Sequence, residues 1–168
     1  MSRLDSFIRR LEAQRACLDW SIEAVRDLPG PVLELGLGNG RTYDHLRSKL
    51  GEVRGIFALD RQLAAHPACT PDQDHLMLGD FRETLPALAR RLGPVVALVH
   101  ADTGSGDEEA SRAQARMLAG LVDPLVAPGA IVVSDQNMAP NSSGWLSERL
   151  PTGVAAGRYF IYRKPARA

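Results

Sequence analysis

Cysteine is scarce in this chain. Cys17 and Cys69 are the only two in 168 residues, too few for a disulfide framework, and they match no metal-ligand spacing. Long apolar runs are missing as well, since none approaches the ~20 residues needed to span a bilayer. No excess of one charge exists: 20 basic and 20 acidic residues give net zero. No global field therefore draws the chain to nucleic acid or an anionic membrane, which leaves only a local patch for such partners. Nothing near the start resembles a signal peptide, because Asp5, Arg9 and Arg10 interrupt the first apolar residues. Repeats and low-complexity segments are absent too. These absences lead us to expect a reduced, cytoplasmic protein without a membrane partner. What remains is ordinary globular material, 45% hydrophobic and long enough for one domain, 1–168, with a full core.

The informative stretch is Val32-Leu33-Glu34-Leu35-Gly36-Leu37-Gly38-Asn39-Gly40-Arg41-Thr42-Tyr43. A short apolar run, a glycine-rich turn and a helix start describe a strand feeding a ligand-binding loop. Glycines at 36, 38 and 40 permit positive φ and close approach to a ligand. The free N–H groups of the new helix face whatever lies beyond the carboxyl end of the strand, where nucleotide-type cofactors bind. A dinucleotide fingerprint reads G-x-G-x-x-G, and here Arg41 stands where its third glycine belongs. Glu34, two residues ahead of the first glycine, would repel a pyrophosphate and suit a ligand carrying an ammonium and a sulfonium.

The flanking chain alternates helix and strand. Asp5 to Asp27 reads as an amphipathic helix, with Asp5 or Ser6 as N-cap. Its stripe is Leu4, Ile8, Leu11, Leu18, Ile22 and Val25, and a second face carries Ala13, Ala16, Cys17, Trp20 and Ala24. That second face is either core, a cover over the cofactor, or a contact between copies in a homo-oligomer. Thr42–Leu50 follows as a helix with Tyr43, Leu46 and Leu50 inward, and Val53–Leu59 as a strand ending at Asp60. An acid about 20 positions beyond the loop is placed for ribose hydroxyls, or for a turn. Pro67–Asp74 reads as a loop, His75–Leu78 as a strand with Gly79, Asp80 and Phe81 at its tip, and Leu85, Leu88 and Leu92 mark the next helix. Val95–Val99 is a buried strand leading to His100, Ala101 and Asp102, and alternation puts His100 and Asp102 on one side. A helix over 108–126, a Pro128-Gly129 turn and a strand over 130–133 lead to Asp135-Gln136-Asn137. Residues 137–144 read as a loop, Trp145–Leu150 as a short helix and 153–157 as a short strand. Arg158–Arg163 is the last strand and Lys164–Ala168 a loose basic tail. This order predicts an α/β fold: a doubly wound, mostly parallel seven-stranded sheet with an antiparallel last strand.

The E-x-G-x-G-x-G loop at 34–40 resembles the first motif of class I S-adenosylmethionine-dependent methyltransferases, with Asp60 and Asp80 corroborating it. The resemblance implies a Rossmann-like methyltransferase fold and S-adenosylmethionine as methyl donor, with Asp80 accepting from the adenine amino group. It implies a cofactor site formed by Glu34, Gly36, Gly38, Asn39, Gly40, Arg41, Thr42, Tyr43, Asp60, Arg61, Gly79, Asp80, Phe81, His100, Ala101 and Asp102, with Trp20 closing over it. Transfer to a neutral thioether leaving group needs mainly alignment, and a base only where the acceptor must lose a proton. His100, Asp102 and Asp135 are the candidates, with capping and loop hydrogen bonds as their other uses. The D/N-P-P-Y/F motif is missing after strand four, which counts against amino-methyltransferases of DNA bases and protein glutamine. Asp102, Asp135 and Asn137 partly match the ligands of catechol-type, metal-dependent O-methyltransferases, although Gln136 spoils the pairing. A divalent metal is a secondary expectation. A dinucleotide oxidoreductase and a cofactor-binding protein without catalysis are the other readings. The acceptor is expected to be a small molecule.

Overall fold

The computed structural model describes residues 2–138 and 144–166. The chain begins with α1 (Arg3–Ala24) and continues through β1 (Val32–Leu35), α2 (Arg41–Leu50), β2 (Ile56–Asp60), β3 (Leu76–Leu78), α3 (Phe81–Leu92), β4 (Val96–Ala101), α4 (Glu108–Val122), β5 (Val126–Ser134), β6 (Leu146–Ser147) and β7 (Phe160–Arg163). One seven-stranded sheet runs in the order β3-β2-β1-β4-β5-β7-β6. Strands β1 to β5 are parallel; β7 is antiparallel to β5, and β6 to β7. This is the doubly wound, mostly parallel seven-stranded sheet with an antiparallel last strand that the sequence predicts.

Strand alternation divides the core in two. Leu33, Leu35, Val99, Ala101 and Val132 face the cluster built with α3 and α4. Val32, Ile56, Ala58, Leu98 and Ile131 face the cluster built with α1 and α2. With both faces covered, β1 and β4 are buried along their whole length. Glu34 and His100 are register partners on adjacent strands, so both point to the α1–α2 side inside an apolar layer. Their placement determines the chemistry described below.

Several boundaries differ from the expectations. Ser2 caps α1 through a reciprocal pair with Asp5, so the helix begins earlier and ends before Asp27. Leu4 and Ile8, on the expected inward stripe, are exposed. Val53 is 98% exposed and lies outside β2. Pro128-Gly129 is part of β5, because Ala97 alone stands opposite the four residues 127–130 in a bulge. That bulge is held by the residue just after β7, where Gly129 N–H donates to Lys164 O (2.8 Å). Trp145–Leu150 contains β6 instead of a helix, and 153–157 forms turns instead of a strand. Lys164 is tied down by Nζ donating to Asp123 O (2.7 Å). The loop expected at 137–144 and the tail at 164–168 fall partly outside the described residues.

Candidate functional site

The glycine loop leaves β1 at the carboxyl edge of the sheet, and each glycine has a distinct reason to be there. All three have positive φ, +85°, +53° and +86° at Gly36, Gly38 and Gly40. A Cβ on Gly36 would stand 2.5 Å from Asp102 O, and one on Gly40 2.6 Å from Cys69 Cβ. Those two permit packing against the protein itself. A Cβ on Gly38 would meet nothing within 4 Å, so this residue faces open space. Asp60 fixes it there: Oδ2 accepts from Gly38 N–H (2.8 Å) and Oδ1 from Arg61 N–H (2.6 Å).

Three adjoining depressions follow the loop. The first, about 270 Å³, lies between α1 and the loop and includes Arg10, Gln14, Gly38, Arg41, Thr42 and Asp102. The second, about 330 Å³, shares Gly36, Gly38, Asp102 and Gly104 and adds Asp60, Arg61 and Phe81. The third, about 270 Å³, continues from Arg61 and Phe81 to Asp80, Gln114 and Met117. Polar groups thus bracket the first and second, and an aromatic ring with a thioether lines the third. Asp80 also caps α3, accepting from Arg82 N–H (2.8 Å).

Beneath the first depression runs a buried polar chain. Glu34 is fully buried and accepts from the Thr42 hydroxyl and from His100 Nδ1–H (2.7 Å). His100 Nε2 meets Tyr159 Oη at 2.9 Å, and Gln14 Nε2 donates to both Tyr159 Oη (2.9 Å) and Asp102 Oδ2 (2.8 Å). Arg10 completes it with an ion pair to Asp102 Oδ1 (2.7 Å). Burial by itself would lower the His100 pKa, but the adjacent Glu34 carboxylate outweighs it and carries the imidazole above its ordinary value. Burial likewise pushes the Tyr159 phenol well up. It also raises Asp135, with the negative charge of Asp102 adding to the effect. Asp135 accepts from Thr103 N–H (3.2 Å) and Gly104 N–H (3.1 Å), pinning the loop after β4.

The structure gathers Gly36, Gly38, Asn39, Arg41, Thr42, Asp60, Arg61, Asp80, Phe81 and Asp102 along the cleft. Gly79 adjoins it, donating its N–H to Asp60 O (2.9 Å). Gly40 is the α2 N-cap and packs on Cys69. Other expected residues are elsewhere. Glu34 and His100 are 0% exposed, so each reaches the cleft only through other side chains. Ala101 is inside β4, and Tyr43 is on the inward face of α2. Trp20 packs against the α1–α2 core, whereas Arg10 and Gln14, one to three turns earlier in α1, reach the cleft. Asn137 Oδ1 accepts from Tyr162 Oη–H (2.7 Å), and no group of three His, Cys, Asp or Glu is gathered as for a metal among the described residues. Sequence reading missed Arg10, Gln14, Gln114, Met117 and Tyr159. A glutamine at 14, at helical spacing between Leu11 and Leu18 on the apolar stripe of α1, was the one available signal.

The chain matches, over residues 1–164, the profile of a family described as S-adenosyl-L-methionine methyltransferase. A solved S-adenosyl-L-methionine methyl transferase from Silicibacter pomeroyi DSS-3 is 46% identical and superposes with a TM-score of 0.90, covering 98% of this chain and 99% of that one. The cofactor-bound Rv0187 from MTB shares the fold at 18% identity and TM-score 0.62, over 94% of this chain and 81% of that one. TrmN from Thermus thermophilus does so at 18% and 0.62, over 90% and 52%. No curated protein matches the chain.

Proposed function

Since this chain belongs to the S-adenosyl-L-methionine methyltransferase family, we propose that it methylates a small-molecule acceptor, with the donor lying across the three depressions. The observation that carries the reading is the order of polar groups along the cleft. The Arg10–Asp102 pair suits the donor's amino-acid end, Asp60 the ribose, and Phe81 with Asp80 and Met117 the adenine. The residues fit such a group, because Gly38 leaves open space where the donor's backbone-facing atoms must come close.

In this reading the donor's ammonium goes to Asp102 and its carboxylate to Arg10. Glu34, assigned the ammonium by its position in the sequence, is instead occupied by Thr42 and His100 and positions the loop from below. Asp102 is 22% exposed and Arg10 42%, so their mutual pair is worth only about 0–1 kcal/mol and opens readily. When bound, the donor supplies an electrophilic methyl group. The protein's task is then alignment, with Thr103 and Gly104 held on Asp135. With Asp102 committed to the ammonium, Asp135 is the acid near the cleft that remains for removal of an acceptor proton, whereas His100 is sealed from it. The exposed side chains of Leu4, Phe7 and Ile8 at the start of α1 favour an apolar acceptor surface or a contact between copies.

Calorimetry with S-adenosylmethionine, S-adenosylhomocysteine and NAD tests the donor site. Binding of the first two and not the third is expected. Binding of NAD alone would return the chain to the dinucleotide reading, which no observation supports.

A further inference from the structure

On the opposite face of α1 from the donor cleft lies a cavity of about 730 Å³, bounded by α1 and the turns at 152–158. Its walls include Arg9, Arg15 and Arg158, with Glu12 as the one acid. None of the three guanidinium groups makes a hydrogen bond or ion pair among the described residues. Arg10, Arg26, Arg82, Arg112 and Arg163, outside this cavity, each have an acidic partner, while Arg41, Arg61 and Arg116 have none among the described residues. In a chain of net charge zero, that concentrates two uncompensated positive charges on one concavity.

The rest of the wall is uncharged: Ala13, Ala16, Gly153 and Ala155 leave the volume open, with Thr152 and Val154 beside them. Gly153, with φ +88° and nothing within 4 Å of a Cβ built on it, keeps the turn side unobstructed. Guanidinium forks match phosphate and carboxylate oxygens in a bidentate way, and the volume suits a ligand of nucleotide size.

We propose that this cavity is a binding site for a small phosphorylated molecule, separate from the methyl donor's cleft. The anion is held by Arg9 and Arg15 from α1 and by Arg158 from the turn before β7. The site is one residue away from the buried chain at two places: Ala13 and Arg158 line it, while their neighbours Gln14 and Tyr159 bond each other on the far side. Occupancy therefore bears on the helix that carries Arg10 and Gln14 to the donor. The proposal goes beyond methyl-donor binding and does not depend on it.

The test is calorimetric titration of the full chain with inorganic pyrophosphate at physiological salt. The wild type should bind one equivalent, and Arg9→Gln and Arg158→Gln should each weaken it by about tenfold or more, the scale of losing a charge-assisted contact. Both side chains are exposed, so the variants should fold, and unchanged thermal unfolding verifies that. Gly38→Val, which blocks the donor cleft, should leave pyrophosphate binding intact. Failure of the wild type to bind overturns the proposal. So does binding that survives both arginine variants and disappears in Gly38→Val, because the anion then sits at the donor cleft. A single-stranded RNA that binds through these arginines while pyrophosphate does not would also overturn it.

Discussion

At the scale of single residues, two glycines in one loop carry opposite expectations. Gly36→Ala drives a Cβ to 2.5 Å from the Asp102 carbonyl and also strains a positive φ, so it should destabilise folding, by about 1–3 kcal/mol. Gly38→Val also strains a positive φ, +53°, but its Cβ meets no protein atom within 4 Å, so it should abolish donor binding with a folding cost that comes from the backbone alone and not from a clash. Urea midpoints beside donor titrations separate the two, and a Gly38→Val protein with unimpaired donor affinity would remove the cleft from this loop. Arg10 gives a sharper contrast. If it holds the donor's carboxylate, Arg10→Gln should weaken S-adenosylhomocysteine by about tenfold or more, as loss of a charge-assisted contact does. The same variant should change 5′-methylthioadenosine, which lacks the amino-acid end, by less than about twofold. Equal losses for both ligands would mean that Arg10 acts only by placing α1. Asp60→Ala should cost S-adenosylmethionine about 1–3 kcal/mol of binding, part of it through release of Gly38 N–H.

At the scale of elements, the sequence was most legible where burial on both faces leaves one solution. The strands β1 and β4, the glycine loop and the helices α2 and α3 lie close to where periodicity puts them. It was least legible where long-range contacts decide. The Pro128-Gly129 bulge depends on the residue just after β7, and β6 exists only because β7 presents an edge beside Trp145–Leu150. Site residues divide in the same way. Those on the loop and strand tips follow from spacing, but Arg10, Gln14 and Tyr159 reach the site from α1 and from the residue just before β7, more than 50 positions from Asp102. For α1 the apolar stripe and the structure disagree in a testable way. Leu4, 65% exposed, should tolerate Leu4→Ser within about 0.5 kcal/mol. Gln14→Leu, isosteric but without a donor, should cost about 1–3 kcal/mol, because it removes the donor to one Asp102 oxygen and leaves the Tyr159 hydroxyl with His100 alone. Equal effects from the two substitutions would show that the polar chain does not hold the helix.

At the scale of the whole molecule, the buried pair at Glu34 and His100 sets a pH dependence. His100 has a folded pKa above its ordinary 6.5, because the carboxylate of Glu34 outweighs the burial that opposes it. The folded state therefore binds the proton more tightly than the unfolded chain, and stability falls with pH wherever the two states differ in bound protons. The contribution is complete below about pH 6.5 and is lost as pH rises through the elevated folded value. Asp135, raised by burial, acts in the same direction, with its loss beginning above 3.8. The Cys17 thiol, pushed up to about 11 by burial, enters only above its ordinary 9.0. Between pH 6 and 8.5 the imidazole should thus be the main variable. Urea denaturation across that range should show wild-type stability declining with pH, and His100→Asn, though less stable at every pH, should show a flatter slope. Glu34→Gln removes the charge that raises the imidazole and should flatten it as well. A wild-type curve that is level or rising, with the same slope in both variants, would mean that folding does not raise the imidazole's pKa, burial matching or outweighing the carboxylate beside it.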